Sequence, residues 1–222
     1  MNKYKNILKN REDAAVKLCD VIPMQRLKDE SWKIVSVSRG GLELASLIRG
    51  RYTNSIDFLF SEAIMAPQND ECEVARVSET EEIVINENLV SGFEIQYDYI
   101  YGEARRKHEE KILSYIYQYR KGRHFSSMKN EVVLLVDEGS ETGMKLMTAL
   151  KTILAQKPKA VYIAVPVLPT DTLELLEPFA DDVFFLHDID DYVRTSLYYE
   201  EFEKIDEERI EKLLEEIKWN MM

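Results

Sequence analysis

Apolar and polar positions repeat along this chain with two periods, and the switches between them lay out a βα rhythm. Residues 33–37 (KIVSV) form a β-rich run, SRGG follows, and then Leu44, Ala45 and Ile48 recur at helical spacing. Residues 55–60 (SIDFLF) read as a second strand. After APQND, the segments EVARVS and EEIVIN alternate apolar with polar. That period of two belongs to half-exposed strands and predicts an antiparallel hairpin set into the rhythm. From about 98 to 121 a charged helix is expected, with Ile112, Leu113, Ile116 and Tyr119 on one face.

The rhythm resumes at VVLLV (132–136), followed by a helix carrying Leu146, Met147, Leu150 and Leu154. Two more strands are expected, VYIAV (161–165) ended by Pro166, and VFFLH (183–187). Ile210, Leu213, Leu214 and Ile217 stand at i, i+3, i+4 and i+7, so a solvated helix with one apolar stripe is expected over about 203–219. Continuous apolar strands alternating with helices predict an α/β fold, a mostly parallel doubly wound sheet covered on both faces. Ligands of such sheets sit beyond the C-terminal strand ends. The 222 residues are read as one domain, 1–222, with a small β-hairpin hood over about 66–92.

Composition narrows the function classes. An apolar fraction of 45% excludes a disordered chain. The net charge is −12 and the pI about 4.9, which argues against general affinity for nucleic acid or anionic membrane but leaves room for a local basic pocket. The run 132–136 is far too short to span a bilayer, and MNKYKNILKNREDAAVKL has no signal-peptide core and reads as a charged helix. Cys19 and Cys72 make neither a disulfide framework nor a zinc spacing, so a reduced cytoplasmic protein is expected.

The chemistry concentrates in LLVDEGSETGMKL (134–146), where an apolar run ends in two acids and a Gly-bounded loop opens a helix. The apolar run with Asp-Glu matches a Walker B segment, but no glycine of the chain is followed by Lys, so its Walker A partner is missing. No G-x-G-x-x-G is present. Two readings stay open on the residues alone: a plain βα turn, and a phosphate-holding loop. KHEEK near His108 has Ile112 where a second zinc-binding His would stand. Asp188, Asp190 and Asp191 read as a polar loop, and YRKGR (119–123) as a helix C-terminus with Gly122 as its cap.

The same stretch resembles the ribose-5-phosphate loop of the type I phosphoribosyltransferases: strand Val132–Val136, acids Asp137-Glu138, then Gly139-Ser140-Glu141-Thr142-Gly143 at a helix start. VSRGGLELA (37–45) is similar to the pyrophosphate loop of an uncharacterised branch of that family. NREDAAVKL, IAVPVLP and YYEEFEKIDEERIEKLL resemble the same branch. The resemblance implies Mg2+-dependent transfer of ribosyl 5-phosphate from phosphoribosyl pyrophosphate (PRPP) to a nitrogen acceptor such as a nucleobase. It implies catalytic roles for Asp137, Glu138 and Arg39, the two acids accepting from the ribose hydroxyls and standing indirectly near the metal. Gly139, Ser140, Glu141, Thr142, Gly143 and Lys145 would receive the 5-phosphate, with loop amides and helix dipole as donors. Ser38, Arg39, Gly40 and Gly41 would hold the pyrophosphate, with a non-proline cis peptide at Ser38–Arg39. Late loops of the fold hold the base, which makes His187 a candidate contact, and a homodimer is admitted as the assembly.

The chain departs from the family at several of these positions. Glu141 replaces a small residue or Thr, Lys145 replaces a Thr, Ser38 a Pro, Glu138 an Asp, and Ser61-Glu62 an Arg-Lys pair. A carboxylate 4 Å from a phosphate charge would cost about 4 kcal/mol at a surface-like dielectric. Because Glu141 and Lys145 stand at i, i+4, a helical ion pair turning the acid away from the ligand is expected. These departures sustain a second reading, a non-catalytic ribose-phosphate or nucleotide-binding regulatory protein on the same fold.

Overall fold

The computed structural model describes residues 7–50 and 52–219. Residues 1–6, where part of the charged N-terminal helix was expected, lie outside them. The chain opens with helices α1 (Arg11–Val21) and α2 (Met24–Asp29), then strand β1 (Lys33–Ser36), helix α3 (Arg39–Arg49) and strand β2 (Ile56–Phe58). Strands β3 (Ser61–Ala66), β4 (Asn69–Ser78) and β5 (Ile83–Ile85) follow, with short helix α4 (Glu87–Gly92). The charged helix runs as α5 (Tyr97–Lys107) and α6 (Leu113–Arg120), joined by a π-turn at His108–Ile112. Strand β6 (Val132–Val136), helix α7 (Met144–Ala155), strand β7 (Ala160–Pro169), helix α8 (Thr170–Leu176) and strand β8 (Asp182–Ile189) complete the rhythm. A 3-10 turn (Thr195–Tyr198) and helix α9 (Glu207–Trp219) close the described chain.

Strands β1, β2, β6, β7 and β8 form a five-stranded sheet in the order β2-β1-β6-β7-β8, all pairs parallel. The continuous apolar run of β6 is explained by its central place. Val132, Leu134 and Val136 enter the core beneath α1, α3 and α9, while Val133 and Leu135 enter the opposite core with Leu146, Leu150 and Ile153 of α7. All five are buried. Each such side chain contributes on the order of 1.5–3 kcal/mol, so the site at the end of β6 stands on a fully buried central strand.

The hood is a three-stranded antiparallel sheet, β3-β4-β5, beginning at Ser61 rather than at about 66. The hairpin β4–β5 was legible. β3 was not, because its register with β4 shifts at Ile64/Met65 and again at Met65/Ala66, which breaks the period of two. β7 runs on past Pro166 to Pro169. Its pairing with β6 ends at Ala164, so the missing proline amide breaks no ladder on that side. Asp206 accepts from the Arg209 amide at 2.8 Å and so caps α9, which starts at Glu207 instead of about 203. At the end of α6 it is Lys121, at φ 52°, that takes the left-handed cap position, with Gly122 following.

Candidate functional site

Two adjacent strands, β1 and β6, end side by side, and each passes through a short loop into a helix. Val37 donates to the Val136 carbonyl at 3.2 Å, which carries their contact one residue beyond the strands. From β1 the chain enters α3 directly. Ser38 is the N-cap, extended at φ −146° and ψ 167°, and its Oγ accepts from the Gly41 amide at 2.9 Å. The same hydroxyl donates to Asp137 Oδ1 at 2.5 Å and so ties the two loops together. A side chain at Gly41 would stand 2.7 Å from the Val136 carbonyl, so the close approach of α3 to β6 requires glycine there. The Ser38–Arg39 peptide is trans, as are all peptides of the described residues. Ser38 needs no cis bond to cap α3, because its extended backbone already aims the hydroxyl at Gly41.

Asp137 is fully buried and fully engaged. Its Oδ1 also accepts from the Glu138 amide at 2.9 Å, and its Oδ2 lies 3.4 Å from Lys145 Nζ. Glu138 turns the other way. Its Oε2 is 2.7 Å from Arg11 Nε of α1, and its carboxylate lies where a Gly40 side chain would be. Burial pushes the Glu138 carboxyl up, with the Asp137 charge adding to it, although Arg11 opposes both. Tyr199 donates its hydroxyl to the Glu138 carbonyl at 2.7 Å, and burial raises that phenol well above the ordinary tyrosine range. The second acid of the motif is therefore anchored in the scaffold, away from the loop expected to hold ribose.

The loop itself is drawn tight. Ser140 Oγ accepts from the Gly143 amide at 3.2 Å, and Gly143 sits at φ +71°, a left-handed geometry that favours glycine. Thr142 Oγ1 accepts from the Met144 amide at 3.4 Å. The amides of Glu141 and Thr142 donate to no protein atom among the described residues, which leaves two donors at the start of α7 for an anion. The expected Glu141–Lys145 pair does not form. Glu141 Oε1 instead accepts from the Thr195 amide at 3.2 Å, while Lys145 pairs with Asp137. Thr195 also packs on Gly139, where any Cβ would collide with it. The segment 192–199 thus buttresses the loop from behind, a role its sequence gave no sign of.

The two acids do not make a direct metal site, since Asp137 already has a cation at Oδ2 and Glu138 one at Oε2. Among the described residues no group of three or more His, Cys, Asp or Glu is placed to hold a metal ion. Nor is any helix among them long and apolar enough to cross a membrane. His187 lies on β8, opposite Val167, and Asp190 beyond that strand accepts from Thr170 Oγ1 at 2.9 Å.

A cavity of about 180 Å³ opens beside the bridged loops. Ser38, Arg39 and Lys145 line it, together with Ser61, Glu62 and Arg76 of the hood and Tyr115 and Tyr119 of α6. Sequence reasoning found the first three. Arg76 and the tyrosines were missed because the antiparallel pairing and the long helix bring them in from distant stretches.

Fold and site together describe a doubly wound α/β protein whose candidate site spans the ends of two adjacent parallel strands. Two curated Mycobacterium tuberculosis proteins, from strains CDC 1551 and H37Rv, each named "Putative phosphoribosyl transferase", are 26% identical to this chain over 165 residues. The match covers 73% of this chain, and the chain spans only about 37% of the length of those relatives. The crystal structure of TT1426 from Thermus thermophilus is similar along nearly the whole length, with 26% identity and a TM-score of 0.75 over 96% of this chain and 98% of that one. No family model matches the chain. The names of the curated relatives agree with the phosphoribosyltransferase resemblance drawn from the motifs.

Proposed function

We propose that this chain binds PRPP and transfers its ribosyl 5-phosphate to a nitrogen acceptor, releasing pyrophosphate. The observation that carries the reading is the Ser38–Asp137 hydrogen bond, which holds a helix-opening Gly loop and a second Gly-Gly loop together at adjacent strand ends. The unbonded amides of Glu141 and Thr142 and the N-terminus of α7 suit the 5-phosphate. Lys145, half-exposed at the same helix start, turns to that phosphate when it arrives and releases Asp137 Oδ2 to a ribose hydroxyl. Arg39, with Gly40 and Gly41, faces the pyrophosphate. Catalysis of this kind rests on holding the charges of an oxocarbenium-like ribose and of the leaving group. Mg2+, carried in with the substrate, would supply counter-charge to the leaving pyrophosphate, while Asp137 and Glu138 stay paired with Lys145 and Arg11 and would stand only indirectly near it.

A second reading, binding of a ribose phosphate or nucleotide without turnover, is favoured by one specific observation. Both motif acids have protein cations as partners, Lys145 and Arg11, and the family's basic pair at 61–62 is Ser-Glu. Thermal shift and calorimetry with PRPP and Mg2+, followed by a pyrophosphate-release assay over a panel of nucleobases, separate the two. Binding with release supports transfer. Binding without release from any base supports the second reading, and absence of binding overturns both. Free, half-buried Cys19 and Cys72 are consistent with the reduced cytoplasm as the compartment.

A further inference from the structure

We infer that Arg76, carried in from hood strand β4, is the second cation of the pyrophosphate pocket and supplies the charge that Ser61 and Glu62 lack; the inference rests on the PRPP reading above. Arg39 is half-buried, lines the cavity, and makes no hydrogen bond or ion pair with a described residue. One guanidinium is a thin counter-charge for a diphosphate. In the register of the hood, Arg76 stands opposite Ala63, and its side chain runs back along the sheet toward the start of β3. There Nη1 donates to Ser61 Oγ at 3.1 Å and to the Ser61 carbonyl at 3.4 Å. Nε is fixed by Glu73 Oε1 at 2.7 Å, in a pair whose side chains are only 12% and 15% exposed. The guanidinium is therefore held in place beforehand, and it lines the same cavity as Arg39 and Lys145.

Glu62 and Tyr115 line the same cavity, and burial and that acid raise the Tyr115 phenol while Arg39 opposes them. The Tyr119 hydroxyl, on a residue only 4% exposed that lines the cavity, is buried without a partner among the described residues. A buried hydroxyl left unbonded is unfavourable, and a phosphate oxygen entering beside Arg39 would satisfy it. A positive charge missing at the start of β3 is thus delivered from the neighbouring strand, where a reading along the sequence does not look for it.

The test titrates inorganic pyrophosphate and, separately, ribose 5-phosphate into the full chain by calorimetry. Arg76→Met should weaken pyrophosphate about tenfold or more, the worth of one charged hydrogen bond, and leave ribose 5-phosphate within about twofold. Ser61→Lys added to Arg76→Met should restore most of the loss, which a purely structural Arg76–Glu73 pair would not allow. Unchanged pyrophosphate affinity in a folded Arg76→Met, or equal loss of both ligands without rescue, overturns the inference. If Arg76→Met does not fold, Arg76→Gln, which keeps an amide donor for Ser61 but removes the charge, decides: pyrophosphate about tenfold weaker with ribose 5-phosphate within about twofold supports the inference, and unchanged pyrophosphate overturns it. A native chain that binds ribose 5-phosphate but not pyrophosphate refutes the role of Arg76 alone. One that binds neither refutes the PRPP reading itself.

Discussion

Arg11 Nε stands 2.7 Å from Glu138 Oε2, joining the first helix to the acid motif across 127 positions of sequence. The guanidinium also donates to the Glu203 carbonyl at 2.9 Å, lies over the Phe202 ring at 4.7 Å, and approaches Glu43 of α3 at 3.7 Å. Glu43 in turn binds Arg209 of α9. Four separate segments are thereby fastened behind the candidate site. Removing one partner of such a half-sealed pair leaves the other charge uncompensated, so Arg11→Met should cost about 3 kcal/mol. Urea unfolding at pH 7 measures it. Arg11→Met combined with Glu138→Gln should recover part of that loss, and a double variant no better than Arg11→Met alone would show that the pair does not couple.

The same acid sets a pH dependence. Its folded carboxyl titrates above the ordinary value of 4.5, chiefly through burial. The folded state therefore holds the proton longer than the unfolded one, and stability from this group is present at low pH and lost as pH rises from about 4.5 through the raised folded value. The slope reaches at most about 1.4 kcal/mol per pH unit for one proton. Glu138→Gln should flatten urea-derived stability plotted between pH 4.5 and 7. Glu79, also raised by burial, keeps its own share of the slope. Parallel slopes for the two proteins would show that Glu138 titrates normally.

The contrast between Asp137 and Glu138 marks what was legible in the sequence. Strand periods, glycine positions and the two-acid signature placed the loop at the end of a central parallel strand, because those features follow from local geometry and burial. The neighbours that complete the site did not follow, since Arg11 and Tyr199 on Glu138, Thr195 on Glu141 and Arg76 in the cavity arrive from segments joined only by the tertiary fold. NREDAAVKL resembles the family, yet nothing in its spacing assigns Arg11 to Glu138. Helical spacing pairs Glu141 with Lys145, but residues 139–143 precede the helix, so the i, i+4 rule has no helix to act in.

Glu141 should be a minor residue for ligand binding. A carboxylate facing the phosphate would cost about 4 kcal/mol, on the order of a thousandfold in affinity. Instead it accepts from the Thr195 amide. Glu141→Ala is expected to change inorganic phosphate affinity by less than about threefold and to lower stability by about 1 kcal/mol, as for a lost cap. Strong tightening of phosphate in calorimetry would mean that the acid does face the ligand.

Gly139 and Gly40 should tolerate no side chain, for a reason unrelated to the backbone angles of either. A Cβ at Gly139 would run into Thr195, and one at Gly40 into the Glu138 carboxylate. Each neighbour is itself held, Thr195 by Tyr192 and Glu141, Glu138 by Arg11. Gly139→Ala and Gly40→Ala are each expected to cost about 1–3 kcal/mol as overpacking. Pairing Gly139→Ala with Thr195→Ser, which removes the nearer, colliding methyl but leaves the hydroxyl at 2.9 Å, should return part of the stability in thermal melts. Failure of that rescue would place the strain elsewhere.

Asp137 carries the sharpest test, because its two oxygens do different things. Oδ1 is committed to Ser38 and the Glu138 amide, whereas among the described residues Oδ2 meets only Lys145, at 3.4 Å. In Asp137→Asn the carbonyl can keep the Oδ1 bonds, so the loops stay bridged, while the amide nitrogen takes the place of Oδ2 and repels Lys145. Lys145 is then free to meet an anion at the start of α7. Inorganic phosphate should therefore bind as well as in the native chain or better. Ribose 5-phosphate, which needs Oδ2 as an acceptor for its hydroxyl, should bind at least about tenfold less well, the loss of one charge-assisted hydrogen bond. Asp190→Asn, beyond β8 and bonded to Thr170, should move neither ligand by more than about twofold. Calorimetry with the two ligands on the three proteins gives the comparison. A parallel change for phosphate and ribose 5-phosphate in Asp137→Asn would assign Asp137 to the scaffold, and an effect of Asp190→Asn as large as that of Asp137→Asn would remove the motif from the site.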